Sequence, residues 1–137
     1  MQEQNIKLFQ EAINEQYEAI KYYGDMKKQT KDSNNIAVID QIQKDKMKHM
    51  NVLQEIYAFY KGIHHQPILQ TERTYKKRFI EEVEESLFHE GKNLKFYQSI
   101  YFGSTYAPIR DRLHDLLLDL NQHTNWLTYM YAKEINR

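Results

Sequence analysis

The chain has no cysteine among its 137 residues, which excludes disulfides, thiolate metal ligands and cysteine nucleophiles. Two prolines and four glycines are too few for the many turns of an all-β protein. No stretch approaches the roughly eighteen consecutive apolar residues of a membrane-spanning helix, and the opening MQEQNIK has no apolar core of signal-peptide length. Neither a membrane nor secretion is expected, and the expected location is the cytoplasm. Net charge is lacking too, because nineteen basic and nineteen acidic residues cancel. The short basic runs Lys27-Lys28 and Lys76-Lys77-Arg78 sit among acids or polar residues, so a nucleic-acid partner is not expected.

What the sequence has in abundance is helical periodicity. Ile6, Phe9, Ile13, Ile20 and Tyr23 recur at helical spacing before the polar break TKDSNN, which offers N-cap residues for the next helix. A second periodic stretch runs from about Ile36 through Ile42, His49 and Leu53 to Tyr60, and stops at Lys61-Gly62. The spacing predicts a third helix over roughly Tyr75 to Tyr101. A fourth starts near Pro108 and carries Leu113, Leu116, Leu120, His123 and Leu127 inward. Within IQKDKMKHMNVL (42–53), His49 and Lys46 share the apolar stripe of Ile42 and Leu53, so both polar residues need a partner inside the fold.

An offset of 74 aligns residues 1–63 with 75–137 without a gap and gives ten identities, against roughly four by chance. The offset lays His49 on His123, Asp45 on Asp119, Leu53 on Leu127 and Tyr57 on Tyr131. Two helical hairpins within one domain, residues 1–137, follow from this repeat. Residues 61 to 74 between them would reach about 46 Å when extended, while a 26-residue helix spans about 39 Å. A connection of that length favours a crossover, leaving helices 2 and 3 parallel.

Each hairpin carries a site position followed seven residues on by a tyrosine (Gln16 with Tyr23, Glu90 with Tyr97), and then a helix-core histidine three residues after another site position (Lys46-Met47-Lys48-His49, Leu120-Asn121-Gln122-His123). In this the whole chain resembles the ferritin-like superfamily, most closely its rubrerythrin-like branch. The resemblance implies an all-α, ferritin-like four-helix bundle in which helices 1 and 3 each give one Glu and helices 2 and 4 each give Glu-x-x-His. Those six side chains hold two iron or manganese ions. Of the six positions, Glu90, His49 and His123 keep a ligand type, while Gln16, Lys46 and Leu120 stand where the family has glutamates. Asp45 and Asp119, before each box, resemble acceptors that orient the histidines.

Four carboxylates would offset two divalent ions, whereas one carboxylate, one ammonium and a leucine sum to zero. The expected reading is a protein whose di-iron site is largely lost, with no cofactor and no enzymatic activity. Lys46 then serves as an internal cation for Glu90, and Asp45 and Asp119 serve the histidines. Its role is structural or interactive, with an unidentified protein partner or a homodimer joined through tyrosine-rich helix faces. Two alternatives stay open. Glu90, His49 and His123 form a set that suits one Fe or Zn ion, with iron oxidation or peroxide reduction as the activity. A cavity beside Leu120 would instead suit a small molecule. His64-His65 reads as surface loop, and EEVEES (81–86) as a solvated helix face.

Overall fold

The computed structural model describes residues 3–69 and 78–137, with side chains from Asn5 onward. Its elements are four α-helices, α1 Glu3–Met26, α2 Ser33–Lys61, α3 Phe79–Gly103 and α4 Ala107–Ile135, with a 3₁₀ turn at Lys27–Gln29. No strand occurs among the described residues, and a helical bundle fits this all-α architecture. The chain divides into two compact units, Met1–Lys28 with Ile39–Arg73, and Gln29–Val38 with Thr74–Arg137.

In the first unit α1 runs antiparallel to the body of α2. Lys27 Nζ donates to Asp40 Oδ1 at 2.9 Å near the turn, Gln43 Nε2 donates to the Ile20 carbonyl at 2.9 Å further along, and Gln10 Nε2 donates to the Tyr57 hydroxyl at 3.0 Å towards the other end. Between these contacts Phe9, Ile13, Tyr23, Ile39, Ile42, Leu53 and Ile56 form the buried stripe that the periodicity predicts. Gly62 ends α2 with φ +79°, in the left-handed region that favours glycine, and its amide donates to the Ala58 carbonyl at 2.8 Å.

In the second unit α3 and α4 are antiparallel. The Arg110 guanidinium lies 4.8 Å from the centre of the Tyr101 ring near the turn, and the Tyr131 hydroxyl donates to the Glu84 carboxylate at the far end. The chain between α1 and α2 belongs here as well. Asp32 caps α2, its Oδ1 accepting from the Asn35 amide at 3.0 Å, while its other oxygen meets Lys133 and Arg137 from the end of α4. Asn35 Nδ2 donates to Glu134 Oε1 at 2.9 Å, so this one turn is fastened to the end of α4.

The offset of 74 recurs in three dimensions. Helices α2 and α4 are both 29 residues long, and their first and their last residues are each that far apart. The Gln10–Tyr57 hydrogen bond of one hairpin has its counterpart in Glu84–Tyr131 of the other, and the Lys27–Asp40 ion pair in the Tyr101–His114 ring contact. The two hairpins therefore close in the same register with different chemistry.

Two expectations change. Glu82 and Ser86, in the run read as a solvated face, are buried, because they share the inward stripe of Glu90, Asn93 and Tyr97; Glu82 Oε1 accepts from Gln29 Nε2 at 2.9 Å. The expected start of α3 near Tyr75 lies outside the described residues, as do residues 70–74 of the expected crossover. Arg78 is extended and α3 begins at Phe79.

Candidate functional site

Helical spacing brings the candidate positions inward in each unit. In the first unit Ile42, Lys46, His49 and Leu53 recur at intervals of four and three on α2, and all are buried; Gln16 is buried on α1. The Lys46 side chain is 0% exposed, an unusual place for an ammonium ion, which loses its hydration when withdrawn from water. Asp45, one position round the helix, is only half-buried, and its Oδ1 accepts from Gln41 Nε2 at 3.0 Å within the same helix.

In the second unit Leu116, Leu120, His123 and Leu127 repeat that spacing on α4, and Glu90 is buried on α3. His123 Nδ1 lies 3.5 Å from Glu90 Oε1, with the two side chains 0% and 1% exposed. Trp126 stacks on the imidazole with ring centres 6.0 Å apart and planes inclined by 30°. The contact is long for a hydrogen bond. Asp119 is half-buried.

All six positions to which the resemblance assigns ligands are therefore buried, three in each unit. As a donor set they do not fit a di-iron carboxylate centre. Leu120 has no donor atom, Lys46 has the wrong charge, Gln16 offers a neutral oxygen, and Glu90 alone supplies an anion. Among the described residues, no three His, Cys, Asp or Glu side chains are grouped so as to hold a metal ion.

Sequence reasoning missed a second polar cluster, in the first unit. His65, read as surface loop, is half-buried: its backbone N–H donates to Gln54 Oε1 at 2.8 Å and its carbonyl accepts from Gln54 Nε2 at 2.6 Å. Asn14 Oδ1 accepts from His65 Nε2 and from the Ile68 amide, both at 3.0 Å. Tyr57 meets the imidazole edge-on at 5.8 Å between ring centres. Partial burial, which penalises the imidazolium, lowers the His65 pKa. The signal was present in Asn14 and Gln54, two polar residues at otherwise buried helical positions.

No family model matches the chain, and no curated protein is similar to it in sequence. A solved structure, a hypothetical protein from Pyrococcus furiosus, superimposes with a TM-score of 0.83 over 96% of this chain and 90% of that one, at 17% identity. The likeness is one of fold, a four-helix all-α architecture. No helix among the described residues is long and apolar enough to cross a membrane.

Proposed function

We propose that the chain is a ferritin-like protein of the rubrerythrin-like branch that has given up its di-iron centre and keeps the fold as a structural or interaction module. One observation carries this reading: every position that the family uses for a ligand is still buried, yet three of the four carboxylates are replaced by Gln16, Lys46 and Leu120. Burial without the acids keeps the architecture while removing the negative charge that two divalent cations require. An ammonium at Lys46 supplies internally the positive charge that a metal would bring to Glu90. Asp45 and Asp119 remain the proposed acceptors for the histidines.

The test is metal content. Untagged protein, purified without chelator and offered Fe(II), Zn(II) or Mn(II) anaerobically, is expected to retain none after desalting. Two ions per chain would overturn the reading and restore iron oxidation or peroxide reduction. One ion per chain, lost in Glu90→Gln and His123→Ala, would favour the residual set of Glu90, His49 and His123.

A further inference from the structure

In the first unit the face formed by Asn14, Gln54 and Tyr57 is covered by His65–Ile68. The equivalent positions of the second unit are Phe88, Thr128 and Tyr131. There the buried asparagine becomes a phenylalanine that is 68% exposed, and Thr128 is exposed as well. A face that one hairpin covers with its own chain thus carries a large apolar side chain in the other.

The rest of α3 says what fits it. Glu84, Phe88, Gly91, Lys95 and Phe102 are all exposed and fall within about 60° of arc at 100° per residue, opposite the buried stripe. The one acid of this stripe, Glu84, lies in its N-terminal half and the one lysine, Lys95, in its C-terminal half, with Phe88 and Gly91 between them. Gly91 sits inside a 25-residue helix, where only proline is less favourable, and an added Cβ would meet nothing within 4 Å. Packing within the chain does not call for glycine there, whereas close approach of another backbone does.

We propose that this face of α3 docks a second copy of the chain, the two α3 helices packing antiparallel about a two-fold axis midway between positions 89 and 90. Phe88 then seats over Gly91 of the partner subunit, and Glu84 lies opposite Lys95 of the partner subunit, each contact occurring twice. The charge pattern selects this arrangement, since a parallel pair in register would set acid against acid and lysine against lysine. The hydrogen bond from Tyr131 holds the Glu84 carboxylate at the edge of the face. One helix pair is a small interface, so the dissociation constant is expected on the order of micromolar. Nothing in this depends on whether the core binds metal.

Sedimentation velocity of the untagged full chain between about 1 µM and about 200 µM tests it. Wild type is expected to pass from monomer to dimer across that range. Gly91→Gln, which introduces a better helix former and so does not threaten the fold, is expected to raise the dissociation constant by at least about tenfold, and Phe88→Asp likewise. Lys95→Glu should weaken the dimer, and adding Glu84→Lys should restore it, with circular dichroism melts checking the fold of each variant. A chain that stays monomeric at the highest concentration overturns the proposal and leaves the face to an unlike partner. A dimer indifferent to Gly91→Gln and Phe88→Asp, or a charge swap that fails to restore it, overturns it too.

Discussion

Lys46 offers the sharpest test of how the core is held. Its side chain is fully buried, and the equivalent position of the other hairpin, Leu120, is fully buried too, so the fold itself supplies the right control substitution. Lys46→Ala removes the ammonium and most of the side-chain volume, and stripping one partner from a buried charge pair costs about 3–5 kcal/mol. Lys46→Leu removes the charge while keeping an apolar side chain, which returns up to about 2 kcal/mol of burial and leaves a net loss of about 1–3 kcal/mol. Urea unfolding of the full chain measures both, provided the m-values match wild type. The proposed function gives Lys46 the charge of Glu90 to answer, so a double-mutant cycle of Lys46→Leu with Glu90→Leu is expected to show a coupling above about 1 kcal/mol. If Lys46→Leu is as stable as wild type or more so, the ammonium is not answering a buried anion and the charge argument fails.

Other expectations concern the rebuilt site and the segment docked on the first unit. The variant Gln16→Glu, Lys46→Glu, Leu120→Glu recreates the family's six ligands and should bind about two Fe(II) ions per chain; a folded triple variant with no gain in iron affinity shows that the register assigned from the resemblance is wrong. Gln54→Ala removes two hydrogen bonds to His65, worth about 1 kcal/mol each, and should speed amide exchange and proteolysis across 62–69. Unchanged protection there means that Gln54 does not hold the segment. The docked His65 has a pKa below its ordinary 6.5, so the undocked form takes up a proton more readily. Docking is therefore at full strength above about pH 6.5 and weakens as pH falls from there through the lower docked value. Exchange of the Ile68 amide, corrected for its intrinsic rate, should rise between pH 7.5 and 5.5 in wild type but not in His65→Gln.

The helical class and the buried stripes were both legible in the amino-acid order. Each rests on a period of 3.6 residues that a few turns of chain are enough to display. Lys46 and His49 could be placed inward from Ile42 and Leu53 alone, His123 from the leucines of its own helix, and Glu90 through the resemblance. Only the folded chain showed Asn14 holding His65 from 51 residues away, Gln29 reaching Glu82 across 53, and Asn35 meeting Glu134 across 99. The polar run at 81–86 looked solvated because its composition is acidic, yet one of its glutamates lies on the inward stripe. Phe88 and Gly91 carried no signal as an α3 face until the hairpin closed and showed which side of that helix remained outside. Periodicity tells a residue whether it points inward, because that depends on neighbours three and four positions away; which distant residue it then meets depends on helices packing together, and no local pattern encodes that.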